Sequence, residues 1–287
     1  MLKYRLIFGT LMTIAFIGLV FFDGRLDGSL SSQEPDAAVQ ATLLTIFLII
    51  VAIPANIELS KLINSSGAKI FLPITIAGSI LLSTGWYWSQ FFDDSNRFAA
   101  LFFILVICLC TLAIFLWQGI RYAAVGAFAN CGANLLSIVY LGALTSFVIA
   151  IRIDFGPIVF LAYIFTIKCS DIGAYTFGRL FGKHKFSPVL SPKKTWEGMA
   201  GGVIFAVAAA AIFALVFDIM SLAEAAIFGV VFAFLGQLGD LAESMLKRAA
   251  EQKDSAGSVP GFGGILDVID SPLATAVFAY LFFLIIF

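Results

Sequence analysis

Apolar residues run through this chain in long blocks rather than alternating with polar ones. Nine blocks can be drawn, at about 6–22, 38–55, 70–91, 97–117, 130–151, 156–177, 198–217, 222–239 and 272–287. A membrane-spanning strand needs only about 10 residues of alternating polarity, whereas a spanning helix needs roughly 20 apolar residues in succession. The blocks have the second character. The pattern predicts an all-α, polytopic integral membrane protein of about nine transmembrane helices. The fifth block contains Asn130 and Asn134. No repeat of solenoid or propeller period is present, and no inverted repeat of the kind found in transporters. Lys3 and Arg5 precede the first block as they would in a signal peptide, but the block is long for one. It ends in Phe21-Phe22-Asp23-Gly24-Arg25 with no small-residue cleavage site, so an uncleaved first span is expected.

Composition agrees with the blocks. Hydrophobic residues make up 61% of the chain and charged residues only 12%, against about a quarter in a soluble domain. A soluble globular fold and a disordered chain are both excluded. The 31 Phe suit helix faces turned to lipid. Net charge is −1 and names no partner, but its distribution is uneven. With the N-terminus cytoplasmic, the cytoplasmic segments hold Lys3, Arg5, Lys61, Lys69, Arg121, Arg179, Lys183, Lys185, Lys193, Lys194, Lys247, Arg248 and Lys253, thirteen in all. The other side holds three, Arg25, Arg97 and Arg152. This bias predicts a cytoplasmic N-terminus and an outside C-terminus. It also places the two long polar segments, 178–197 and 240–271, in the cytoplasm. Two regions follow: 1–155, a scaffold of membrane spans, and 156–287, which carries both segments.

The four cysteines lie in apolar runs without ligand spacing, and His184 is the single histidine. No disulfide framework, zinc site, Ser/His/Asp set or histidine-based acid–base mechanism is indicated. Three other constellations stand out. Gln237, Asp240, Ser244, Lys247 and Glu251 are spaced to share one helix face, with Glu243 and Arg248 beside it. Ser221 and Glu224 form a capping-box pattern that would start this helix. A salt-bridged helix end is the plain structural account, yet Asp240 directly follows an apolar run, where a carboxylate is costly unless paired or metal-bound. The second constellation is 253–272, with Gly257, Gly261, Gly263 and Gly264 before Asp267 and Asp270. Such glycines let a loop turn its N–H groups on a phosphate. Ser271-Pro272 would cap the last span, and a re-entrant turn is the alternative. The third is 168–198, where Lys168 and Asp171 are spaced to pair on one helix. The basic residues that follow suit phosphate, although the charge bias alone also accounts for them.

Acids, bases and glycines are therefore expected at one membrane face. Asp240, Asp267 and Asp270 are hard oxygen ligands of the kind Mg²⁺ takes together with substrate phosphates. Lysine and arginine suit phosphate anions. The combination is equipment for phosphoryl or nucleotidyl transfer.

The segment Ser244-Met-Leu-Lys247-Arg248, then Lys253-Asp254, Gly261-x-Gly263-Gly264, Asp267 and Asp270 resembles the signature of the phosphatidate cytidylyltransferases, or CDP-diacylglycerol synthases. So do Gly239-Asp240-x-x-Glu243-Ser244, Ser191-Pro-Lys-Lys-Thr-x-Glu197-Gly198 and Asp171-x-x-Ala-Tyr175-x-x-Gly178-Arg179. The likeness is strong across about 168–272 and only hydropathic before that. The family usually has His at Phe262, Arg at Val268 and a larger aliphatic residue at Val259. The resemblance implies transfer of a cytidylyl group from CTP to phosphatidic acid, giving CDP-diacylglycerol and pyrophosphate, by an inner-membrane homodimer of nine-span subunits. It implies Mg²⁺, with K⁺ as a second ion. Carried over by position, Asp240 and Asp267 are metal ligands. Lys247, Arg248, Lys253, Asp270 and Asp171 are catalytic. Lys193, Lys194, Ser191, Glu197, Ser244, Gly263 and Gly264 bind substrate. The competing readings are a CTP-dependent polyprenol or phytol kinase, an archaeal-type lipid cytidylyltransferase, and an ion-coupled transporter using Lys168, Asp171 and Asp240.

Overall fold

A computed structural model describes residues 2–30, 39–252, 255–259 and 263–287. Its ten α-helices are α1 (Leu2–Leu26), α2 (Thr42–Ser65), α3 (Leu72–Ser83), α4 (Gly85–Ser89), α5 (Ser95–Tyr122), α6 (Ala127–Ile138), α7 (Leu144–Phe181), α8 (Trp196–Phe217), α9 (Leu222–Ala249) and α10 (Leu266–Ile286). Among the described residues, seven helical stretches are long and apolar enough to cross a membrane. The fold is that of an all-α polytopic membrane protein.

The nine apolar blocks all become helical, but not one by one. Block 70–91 is divided at Thr84 into α3 and α4. Block 130–151 is interrupted by a π-helical turn, Val139–Ala143, and runs on through α7 into block 156–177, so the two form one stretch, Ala127–Phe181, of 55 residues. At 1.5 Å per residue this is about 80 Å, more than twice the hydrocarbon thickness. It is broken where the two blocks are expected to part: Gly156 has φ 82° and ψ 175°, outside helical space, and Pro157 follows.

Asn130 and Asn134 explain how their block tolerates polarity. Asn130 Oδ1 accepts the Lys69 N–H at 2.8 Å and Asn134 Oδ1 accepts the Phe71 N–H at 2.7 Å, while Asn134 Nδ2 donates to the Lys69 carbonyl. One turn apart on α6, they satisfy the backbone that leads into α3.

Three features depart from the sequence expectation. The segment 178–197 is not wholly irregular. It holds an antiparallel hairpin, β1 (Lys185–Ser187) with β2 (Ser191–Thr195), in which Lys185 faces Thr195 and Ser187 faces Ser191. The last helix starts at Leu266, so Ser271 and Pro272 lie inside it rather than capping it. Glu251 lies past the end of α9 with φ 55° and leaves the face that Gln237, Asp240, Ser244 and Lys247 share. The expected capping box at Ser221 and Glu224 is present, with both reciprocal bonds formed.

The main core joins α7, α9 and α10 through Phe160, Tyr163, Ile167, Phe228, Phe232 and Phe283, all buried. Glycine lets α7 and α8 approach closely. A Cβ on Gly173 would stand 2.7 Å from Phe205 Cβ and nearer still to the Gly201 carbonyl. This packing sets the ends of α7 and α9 beside the hairpin, with the start of α10 against α9.

Candidate active site

α9 is 28 residues long, about 42 Å, and so outruns a hydrocarbon layer of about 30 Å. Its apolar start is fixed by the Ser221 cap, and its last turns carry charge. Asp240, Glu243 and Lys247 fall on one face at helical spacing. Against them α10 sets its first turns, with Asp267, Asp270 and Ser271.

Two lysines organise the carboxylates. Lys194, at the end of β2, donates to Asp240 Oδ2 at 3.0 Å and to the Gln237 carbonyl at 3.2 Å. Ser271 Oγ donates to Asp240 Oδ1. Lys247 bridges Glu243 Oε2 and Asp267 Oδ1, both at 2.6 Å. Asp267 Oδ2 accepts from Ser255 Oγ at 2.8 Å, Ser255 N–H at 3.1 Å and Gly264 N–H at 2.7 Å. A third pair, Lys168 with Asp171 at 3.2 Å, forms on α7 as its spacing predicts. Asp270 is buried, and its Oδ1 accepts the N–H of Ser271 at 2.7 Å. It lies within electrostatic reach of Asp240, Glu243, Asp171 and Lys168, so the three pairs form one cluster.

The other expected site residues surround this cluster in different ways. Gly264 gives its N–H to Asp267, and Gly263, at φ 106°, bonds to the Val259 carbonyl at 3.2 Å. Both glycine N–H groups are thus engaged within the loop in this state. Glu197 closes the base of the hairpin by accepting the N–H groups of Lys183 and His184, at 3.1 and 3.2 Å, with His184 Nδ1 at 2.6 Å. Arg248 reaches the Leu190 carbonyl in the hairpin turn at 3.4 Å, joining α9 to β1–β2. Ser191 and Ser244 are half-buried and Lys193 is exposed. Lys253 lies outside the described residues, as does Phe262.

A hard cation suits this donor set. With every group ionised, Asp171, Asp240, Glu243, Asp267 and Asp270 exceed Lys168, Lys194 and Lys247 by two charges. Among the described residues, no hydrogen-bond donor reaches Asp171 Oδ1 or Glu243 Oε1, though both are buried. No three acidic, histidine or cysteine side chains among them enclose a metal unaided. Mg²⁺ takes one or two carboxylates and completes its shell with water and substrate phosphate.

Two residues of the cluster are not singled out by the sequence. Glu58 of α2 is buried at 2% exposure, and its Oε2 accepts the Leu266 N–H at 3.0 Å. Tyr140, in the π-helical turn, has a buried hydroxyl without a partner among the described residues, within electrostatic reach of Asp240, Glu243 and Asp270. The available signals are an acid just past a drawn span and a polar ring inside one.

Known proteins share this arrangement of sequence. The profile of the cytidylyltransferase family matches residues 35–286. A phosphatidate cytidylyltransferase of Bacillus subtilis (strain 168) is 31% identical over 97% of this chain and 96% of its own length. One from Haemophilus influenzae is 42% identical over 44% of this chain and 46% of its own. One from Staphylococcus saprophyticus is 38% identical over 50% of this chain and 56% of its own. With the family profile covering most of its length and the Bacillus relative matching almost end to end, this chain belongs to the cytidylyltransferase family.

Proposed function

We propose that this protein transfers the cytidylyl group of CTP to phosphatidic acid, releasing pyrophosphate and forming CDP-diacylglycerol for phospholipid synthesis. The observation that carries the reading is the gathering of Lys194, Lys247, Asp240 and Asp267 at the ends of helices otherwise built for a bilayer. A polyanionic nucleotide and a lipid phosphate can meet there.

The reaction asks little of a base. A phosphate monoester has its second pKa near 6 and is largely ionised at neutral pH. Its oxygen attacks the α-phosphorus of CTP, and the bond from that phosphorus to the bridging oxygen of the β-phosphate breaks. The barrier lies in bringing two polyanions together and stabilising charge on the leaving pyrophosphate. Lys194 and Lys247 are already oriented by their carboxylates, so phosphate oxygens find fixed donors. Lys193, Arg248 and Lys253 add cationic charge around the same loop. Ser191, Ser244, Gly263 and Gly264 line the nucleotide side, and Glu197 holds the hairpin that presents Lys194. Asp240 and Asp267 would hold Mg²⁺, which supplies charge neutralisation on the triphosphate. Asp171 and Asp270 support them and are the acids available to a second, monovalent ion such as K⁺.

CTP labelled at the α-phosphorus, supplied with phosphatidic acid and Mg²⁺, is expected to pass its label into chloroform-soluble lipid. Transfer from the γ-phosphorus instead would identify a lipid kinase. Label in neither case would remove the enzyme reading and favour transport.

We further infer nine crossings of the inner membrane, counting α3 with α4 as one and the stretch on each side of Gly156 separately. The N-terminus and the site then face the cytoplasm, the C-terminus faces outward, and two copies of the chain form a homodimer. Cysteines introduced at exposed positions of 183–190 and 250–252 are expected to react with an impermeant maleimide only in inverted vesicles. Labelling in intact cells would overturn this orientation.

A further inference from the structure

A carboxylate inside an apolar helix is expensive, and α2 carries one at Glu58. Its surroundings are specific. Glu58 Oε2 accepts the N–H of Leu266 at 3.0 Å and lies 3.4 Å from Ser255 Oγ. Leu266 is the first residue of α10, and the residue before it, Ile265, makes no side-chain cap. The first N–H groups of a helix have no partner within it and need an acceptor from elsewhere. Here the acceptor comes from a helix 208 residues earlier in the chain.

Ser255 links this cap to the cluster. Its hydroxyl lies between Glu58 Oε2 and Asp267 Oδ2, and its N–H also binds Asp267. Gly264 makes room for the arrangement: a Cβ there would stand 2.5 Å from Glu58 Oε2 and closer still to Ser255 Oγ. The glycine three residues before Asp267 is thus required by Ser255, which holds that acid, and by Glu58, which Ser255 also meets. Lys247 fixes the other carboxylate oxygen of Asp267.

We propose that Glu58 is a positioning residue of the transfer reaction: from α2 it caps α10 and, through Ser255, fixes the direction in which Asp267 points. The inference rests on the catalytic reading of Asp267 given above. Glu58 itself touches neither substrate. Its role depends on the reach of an acceptor oxygen rather than on negative charge.

Two conservative variants separate these properties. Glu58→Asp keeps the charge and draws the carboxylate back by one methylene. Glu58→Gln keeps the reach of an oxygen and loses the charge. In the full-length protein in detergent, amide hydrogen exchange at 264–268 is expected to quicken about tenfold in Glu58→Asp, the loss of a helix cap. Its kcat is expected to fall about 10- to 100-fold, with KM for phosphatidic acid within about threefold of wild type. Glu58→Gln is expected to stay near wild type in both. Wild-type behaviour of Glu58→Asp in both measurements overturns the proposal. So does a loss of turnover in either variant without faster exchange at 264–268. If the wild-type chain makes no CDP-diacylglycerol at all, the assigned reaction fails, while the exchange comparison still decides whether Glu58 holds this helix end.

Discussion

Asp240→Asn and Asp267→Asn are each expected to lower turnover by more than about a hundredfold and to leave the chain folded and membrane-inserted. Both substitutions are nearly isosteric. In Asp267→Asn the amide oxygen can still accept the N–H of Gly264 and the hydroxyl of Ser255, so the loop keeps most of its bonds. In Asp240→Asn the amide oxygen can likewise accept from Ser271. What each variant loses is a negative charge beside a lysine, and with it the acid that would hold a divalent ion on the triphosphate. The expected signature is a loss of turnover that added Mg²⁺ restores only in part, with a lowered melting midpoint from the stranded lysine but a cooperative melt retained. Asp171→Asn removes a member of the cluster farther back on α7 and should cost less. Initial rates against Mg²⁺ concentration, with thermal melts of each variant, check this. Wild-type rates in both Asp240→Asn and Asp267→Asn would sink the metal assignment.

Local rules are legible in the sequence and long-range ones are not. The Ser221–Glu224 capping box and the Lys168–Asp171 pair each involve residues three apart, and both are found as their spacing predicts. The apolar blocks are legible because lipid demands continuous apolar length. Where a helix breaks or continues is less so, since that depends on partners. Gly156 marks where two blocks meet, the π turn interrupts one of them, and Thr84 divides another. The hairpin 185–195 is short and polar, held by Glu197 and by the edge-on contact of Phe186 with Trp196, ring centroids 4.8 Å apart. Its turn signal, Ser187-Pro188, sits in a stretch whose basic residues suggest only a loop. Ser271-Pro272 resembles a helix start, but Glu58 supplies a start five residues earlier. Ending the second block at residue 55 leaves Glu58 in a connector, where an acid raises no question. Arg152 likewise reads as a loop charge on the outer side, yet it is wholly buried.

That arginine underlies the second large effect. Arg152→Met is expected to destabilise the fold by about 3–5 kcal/mol, the cost of leaving buried charge uncompensated. Arg152, 0% exposed, contacts Asp23 at 3.1 Å and Asp27 at 2.8 Å through Nη2, which also lies 3.1 Å from Ser29 Oγ. The two acids in turn hold the start of α2: Asp23 accepts the Leu43 N–H at 2.8 Å and Asp27 the Ala41 N–H at 3.1 Å. One guanidinium therefore ties the end of α1, the start of α2 and α7 together. Asp171 lies about four turns beyond the Gly156 break, so the expected loss is of stability rather than of substrate affinity. The thermal midpoint in detergent should fall by roughly 10 °C, with KM for CTP unchanged at low temperature. Acid should mimic the mutation in part. Burial alone would raise the Asp27 carboxyl, but Ser29, the Ala41 N–H and Arg152 outweigh it and hold its pKa below the ordinary value. Its contribution is then complete above the usual carboxylate range and is lost as pH falls through the lowered value. Combining Arg152→Met with Asp23→Asn and Asp27→Asn should recover most of the lost stability, because neutral partners leave no charge stranded. A triple variant no more stable than Arg152→Met alone would show that packing around the arginine, not its charge, holds these helices together.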